Sequence, residues 1–435
     1  MTTYFAHGSP TTVISDDDLR RALHEVYARL GAKRKVLAVP PDFTRFNSRA
    51  GIITQATYEH YQGALSDILP ALGTHVPMPA WQIDKMYAGV PHDLFRVHDW
   101  RHDVVTVGTL PAAYVKQATG GIYDKPWPAQ LNRLIWQGGH DLILSIGQVV
   151  PHEVVGMANH TKNLFVGCGG KEGIDESHFI GACYGMERMM GRSDTPVRRL
   201  LNEALTRFCG HLKIVFVLTV VGPAGAGEQA DRHGLVTRGL YIGEGVECFD
   251  LAARLSVAVN FKILDEAPRT MVVRLDPEEF HTTWLGNKSV YRTRMAIADG
   301  GELIVLAPGL SGFGEDPGID ALIRKYGYRT TPEIMGLVRD QRDLADNLSA
   351  AAHLIHGSSE GRFTVTYCPG SLSRAEIEGV GYAYRELDDA MRQYQPDRLI
   401  DGWNEVTMPS GKRERIFYIS NPALGLWAHR ARIQS

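Results

Sequence analysis

The chain is poor in cysteine, and the five residues it has, Cys168, Cys183, Cys209, Cys248 and Cys368, are odd in number and scattered, with no CxxC. That spacing argues against a disulfide framework and fits a reducing compartment. No apolar run reaches the roughly 18 residues that a membrane-spanning helix requires. The opening residues, MTTYFAHGSPTTVISDDDLRRAL, lack a basic segment followed by an apolar one. No signal peptide is therefore expected, and the expected location is cytoplasmic. Net charge is only −3 over 435 residues, so no global field favours nucleic acid or a membrane. Nucleotide-binding glycine patterns are also missing. The loop GPAGAGEQADRHG lacks GxGxxG spacing, and GxxxxGK[ST] does not occur.

What is present suits a soluble globular enzyme, with 44% hydrophobic and 22% charged residues. The length exceeds one ordinary core, so two domains are expected. Residues 16–30 place Leu19, Leu23, Val26 and Leu30 at helical spacing behind Ser15, a capping residue. The runs KVLAV (35–39), DLILSIGQVV (141–150), KIVFVLTVV (213–221), MVVRL (271–275), GGELIVLAP (300–308) and residues 363–368 read as buried strands. Helices are expected from about residue 52 on to 69, and over 126–136, 193–211, 244–259, 282–298, much of 331–356, and 385–394. This alternation predicts an α/β chain of two domains with mostly parallel sheets and an active site in the interdomain cleft. The expected boundaries are 1–267 for a catalytic, cofactor-binding domain and 268–409 for a second. A tail of about 410–435 is expected to return to the first domain.

The densest chemistry lies in VVPHEVVGMANHTKNLFVGCGGKEGIDESH, residues 149–178, with three histidines and two lysines. Pro151 ends the strand before it, because proline cannot donate to a ladder. His152 then sits just past the carboxyl end of a buried strand, where open α/β sheets bind ligands. A zinc site at His152, His160 and His178 is one reading, and it would make a hydrolase or lyase. Their spacings of eight and eighteen match no zinc template. In PPDFTRFNS (40–48), Asp42 reads as a helix cap and Arg45 as either a surface charge or a planar clamp for carboxylate or phosphate. His75 alone reads as a loop histidine, and Lys288 alone as a solvated lysine. The cluster VHDWRHD (97–103) reads as structural, because VVTV directly after it reads as a strand.

Taken together, these separated segments resemble the lactate racemase family, whose members carry a nickel pincer nucleotide. PPDFTR (40–45) is similar to that family's D-x-T-R loop, GTHVPM (73–78) to its G-T-H-R-P, and VHDWRHD to its N-H-D-A-R-D. PHEVVGMANHTK (151–162) is similar to its P-H-x-x-x-G stretch leading to a lysine. His178 stands at its downstream histidine. Lys288 followed by IADGGELIVLAP is similar to its K…GG-x-I-I-L-V-A. The order is kept over most of residues 35–310.

The resemblance implies a racemase or epimerase of a 2-hydroxy acid, working by hydride transfer to and from the pyridinium-3,5-bisthiocarboxylate mononucleotide nickel cofactor. It implies that Lys162 bears the cofactor as a thioamide and that His178 completes the nickel coordination. His75 and His152 become the acid/base pair, and Arg45 the substrate-carboxylate anchor. Asp42, Thr44 and Lys288 line the cofactor, and Trp284 lies by the substrate. Implied partners are a small 2-hydroxy acid and the cofactor-making enzymes that load the protein, with no nucleic acid and no membrane. Three departures surround the pocket. Ala158, Asn159, His160 and Thr161 stand where Ser-Gly-Gly is usual, Trp284 and Leu285 where Tyr-Gln is usual, and Val76 where Arg is usual. They point to a substrate longer than lactate, such as a sugar acid. The zinc hydrolase or lyase and a non-catalytic hydroxy-acid binding protein are the competing readings.

Overall fold

Runs of aliphatic residues buried on both faces build the scaffold. The computed structural model describes residues 2–408 and 410–433. They fall into two units, Met1–Ile180 with Met189–Asn260, and Gly181–Arg188 with Phe261–Ser435.

The first unit holds strands β1 (Thr3–Gly8), β2 (Val36–Val39), β3 (Leu65–Ile68), β4 (Val104–Leu110), β5 (Trp127–Asn132), β6 (Leu142–Gln148), β7 (Pro151–His152), β8 (Gly156–Met157), β9 (Ile214–Pro223) and β10 (Leu235–Gly243). Six of them form one sheet in the order β1-β10-β9-β6-β2-β3. From β9 to β3 the pairing is parallel, and β10 and β1 add antiparallel. Leu142 to Gly147 of β6 are all buried, as a central parallel strand requires. The helix Asp16–Leu30 lays Leu19, Leu23, Val26 and Tyr27 on this sheet, and Ser15 caps it through a capping box with Asp18.

Two expected helices are strands over part of their length. The helix Ala50–Tyr61 stops at Gln62, whose φ is 44°, and Leu65–Ile68 pairs with β2 instead of continuing it. Residues 126–136 bury Trp127, Ala129 and Leu131 with period two and form β5, paired antiparallel to β4. Only Arg133–Gln137 is helical there.

The second unit holds β11 (Phe261–Leu264), β12 (Thr270–Arg274), β13 (Glu302–Ala307), β14 (Thr364–Pro369), β15 (Ala383–Tyr384), β16 (Gly402–Thr407), β17 (Arg413–Ile419) and β18 (Leu426–His429). Its sheet runs β15-β14-β13-β12-β17-β16, parallel except for the last pair. The tail expected on the first domain belongs to this sheet. Buried Ile416 to Ile419 supply a strand that pairs with β12, and β18 pairs with β11. The expected helix at 282–298 is broken at Asn287 into Thr283–Gly286 and Lys288–Thr293. Asn287 Oδ1 accepts from the Tyr367 and Tyr382 hydroxyls at 2.8 and 3.1 Å. The early segment Gly181–Arg188 joins this unit through Glu187, which accepts from Arg294 at 2.8 Å and Arg362 at 3.2 Å. Among the described residues, no helix is long and apolar enough to cross a membrane.

Candidate active site

Strands β2 and β6 lie side by side and parallel, so the loops at their carboxyl ends leave the sheet together. After β2, Asp42 caps the short 3-10 helix Phe43–Ser48, accepting from the Thr44 amide at 3.2 Å and its hydroxyl at 2.5 Å. The other carboxylate oxygen meets His75 Nδ1 at 2.6 Å. His75 comes from the loop after β3, where Gly73, at φ 59°, donates its amide to the Gly167 carbonyl at 2.8 Å. Burial opposes the charge on Asp42, but His75, Thr44 and Arg45 together outweigh it and hold its carboxyl below the usual range. The ionised carboxylate accepts, so His75 carries its proton on Nδ1 and keeps a lone pair on Nε2.

After β6, the β7–β8 hairpin presents His152, which is buried. Gly156 makes that hairpin possible. Its φ is 82°, and a Cβ there would sit 2.2 Å from the Arg192 carbonyl. The Val154 amide donates to His152 Nδ1 at 3.1 Å. His152 Nδ1 is thus an acceptor and its Nε2 carries the proton. Burial first, and then the charges of Lys162, Arg45 and His178, push its pKa well below the ordinary value, against the pull of Glu153. The two histidines expected as an acid/base pair therefore both present Nε2 in the resting protein, but in opposite states, a lone pair on His75 and an N–H on His152.

Lys162 is the second residue of the helix Thr161–Phe165. Burial, helped by Arg45 and opposed by Glu153 and Asp42, lowers its ammonium to about 8. In that helix, Asn163 donates to the Val39 carbonyl at 2.9 Å and the Ser145 hydroxyl at 3.1 Å, pinning it to β2 and β6. His178 lies on the helix Lys171–Tyr184, and its Nδ1 donates to the Ile174 carbonyl at 2.7 Å. That bond fixes the tautomer and leaves the Nε2 lone pair able to ligate, an arrangement common among metal-binding histidines. His98, in the cluster expected to be structural, bonds the Gly169 carbonyl at 3.0 Å and Asn132 at 3.0 Å, which steadies the approach to that helix.

Thr44 is exposed and committed to Asp42. Lys288 and Trp284 lie in the second unit. Lys288 sits 3.8 Å from Glu279 and 5.3 Å over the Phe280 ring, and the Trp284 ring lies 4.4 Å from that of His353. The zinc arrangement is not assembled. The His160 ring packs between Phe216 and Phe249 at 3.9 and 5.0 Å. Among the described residues, no group of three or more His, Cys, Asp or Glu is gathered to hold a metal.

Two residues of this neighbourhood escape a sequence reading. Glu153, the neighbour of His152, acts electrostatically on His152, Lys162 and His178. Its signal was its adjacency to His152. Arg198 is 1% exposed beneath the Lys162 loop, and inside PVRRLLNEAL it reads as one more surface arginine.

No protein-family model and no curated protein matches the chain. Solved structures do. A crystal structure of a protein from Thermotoga maritima is 24% identical, covers 98% of this chain and 100% of its own, and has a TM-score of 0.77. The lactate racemase apoprotein from Thermoanaerobacterium thermosaccharolyticum is 15% identical, with 97% and 94% covered and a TM-score of 0.69. At these identities the likeness is one of fold: the chain has the two-domain α/β fold of a lactate racemase.

Proposed function

We propose that the protein is a racemase or epimerase of a 2-hydroxy acid that carries a nickel pincer nucleotide on Lys162. The observation that carries this reading is the complementary state of the first-unit residues. An Asp42–His75 pair offers a base, a neutral His152 offers a donor, and a buried amine at Lys162 shares their surroundings. The donor chemistry also fits the group. Lys162, with its ammonium held down to about 8, is a competent nucleophile near neutral pH. His178 has one ring nitrogen committed to a carbonyl and the other left to ligate. A metal that arrives with donors of its own needs one such histidine rather than three.

The C2 hydrogen of a 2-hydroxy acid is a poor acid, since the adjacent carboxylate disfavours a carbanion. When bound, the cofactor supplies a hydride acceptor, which removes the need for that carbanion. The rest falls to the chain. Arg45 holds the substrate carboxylate through its planar fork. His75 takes the hydroxyl proton at Nε2, and Asp42 stabilises the imidazolium that forms. His152 donates from Nε2 to the substrate oxygen as its charge grows, a preorganised contact in a buried site.

The test is intact mass with metal analysis on protein co-produced with the cofactor-making enzymes. The expected result is a stable adduct localised to Lys162 with stoichiometric nickel, followed by turnover in a screen of 2-hydroxy acids. An unmodified Lys162 under those conditions would overturn the proposal. An adduct with saturable binding but no C2 chemistry would favour the binding-protein reading.

A further inference from the structure

We propose that Arg198 is the positioning residue of Lys162, clamping the reversed backbone at Asn159 and His160 from which the lysine's helix starts. The consequence for cofactor loading rests on the function proposed above; the clamp itself does not.

Asn159 and His160 have φ of 65° and 57°, and His160 combines this with ψ of −131°. Glycine enters that region freely, and a residue with a Cβ does so only under strain. Two consecutive strained residues persist only where their surroundings over-determine them. Arg198 supplies that restraint from the helix Pro196–Phe208. Its Nη1 donates to the Asn159 carbonyl at 3.0 Å and the Thr161 hydroxyl at 2.8 Å, and its Nη2 to the Met157 carbonyl at 2.5 Å. The guanidinium therefore touches the loop before, within and after the reversal. A buried arginine ordinarily demands a carboxylate. Asp250 acts on Arg198 only through its charge; among the described residues no carboxylate hydrogen-bonds it, and its Nη donors go to loop oxygens instead. Its guanidinium also lies 4.3 Å over the Phe249 ring, on which His160 stacks at 5.0 Å. Asn159 Oδ1 accepts from the His160 amide at 2.6 Å, which ties the reversal to itself.

The reversal sets where Lys162 begins. The Lys162 amide donates to the Asn159 carbonyl at 3.3 Å, and the Asn163 amide to the His160 carbonyl at 3.0 Å. If the pair relaxed to negative φ, both acceptors would turn away and the helix would lose its first turn.

The experiment compares Arg198→Gln in two backgrounds of the full, unloaded chain, the parent and an Asn159→Gly, His160→Gly variant. Amide hydrogen exchange is read at Lys162 and Asn163, with β6 as the internal reference. In the parent, Arg198→Gln is expected to speed exchange at these two amides by about ten-fold or more while β6 is unchanged. In the glycine background the same change should matter far less, because glycine holds the reversal without a clamp. Arg198→Lys, which keeps charge and donors, should fall between. If Arg198→Gln does not fold in the parent but folds with the glycines, the clamp is also supported. Equal acceleration in both backgrounds, unchanged Lys162 and Asn163 amides, or failure to fold in both would overturn it. Absence of any adduct at Lys162 in the loaded parent would instead sink the cofactor reading and leave the clamp standing.

Discussion

A lysine amine attacks only after it has lost its proton. Burial, and then the charge of Arg45, bring that loss at Lys162 down to about pH 8, against roughly 10.4 for a free lysine. Labelling of the unloaded protein with an amine-acylating reagent, followed by peptide mass spectrometry, should therefore show Lys162 reacting with a midpoint near pH 8. A midpoint like that of the surface lysines would refute the burial argument. The sign for stability follows from the same shift. Between pH 8 and about 10.4 the unfolded chain binds this proton and the folded one does not, so stability falls as pH drops through that window. The histidines make a second residue-scale prediction. Glutamine keeps a side-chain N–H but is no base. His75→Gln should cut turnover of the loaded enzyme by about 10²–10⁴-fold. His152→Gln should retain clearly more activity than His152→Ala, since losing one donor costs about 10²–10³-fold. Equal losses for His152→Gln and His152→Ala would refute the donor role.

At the scale of elements, the β7–β8 hairpin under His152 depends on Gly156. Gly156→Ala forces a Cβ against the Arg192 carbonyl at positive φ, and should cost about 1–3 kcal/mol in a urea titration. A variant as stable as the parent would mean that the hairpin tolerates a shifted path. Elements buried on both faces were legible in the sequence. DLILSIGQVV and KIVFVLTVV are continuous apolar runs because β6 and β9 are central, and they match the observed strands closely. Elements buried on one face were harder. Trp127, Ala129 and Leu131 alternate over too few residues to stand out beside the helical run that follows, so β5 was expected as helix. The site divides in the same way. The positions His152, Lys162 and His178 lie within one stretch and are visible together. The Asp42–His75 bond joins residues 33 apart and depends on the β2–β3 pairing, which no local pattern carries. The glycine-like backbone at Asn159 and His160 was hidden as well, because neither residue is glycine.

For the whole molecule, the two units are interleaved along the chain, since Gly181–Arg188 belongs to the second and Met189–Asn260 to the first. Glu187 is half-buried and accepts from Arg294, which is 2% exposed, and a hydrogen bond between charged groups is worth about 1.5–3 kcal/mol. Glu187→Ala should therefore destabilise the second unit by about 1.5–3 kcal/mol while leaving the first sheet's slowest-exchanging amides unchanged. Uniform acceleration in both units would show that they unfold as one.

The interleaving also sets an order of events on the ribosome. Glu187 emerges 107 residues before Arg294, a wait of roughly 5–20 s at ordinary synthesis rates. During that wait β9 and β10 emerge and complete the first sheet, while the segment Gly181–Arg188 still lacks Arg294 and Arg362. The strands of the first sheet are thus all made before Arg294, with one segment of the second unit already synthesised among them. Separating the two units would mean cutting this chain in three places rather than one.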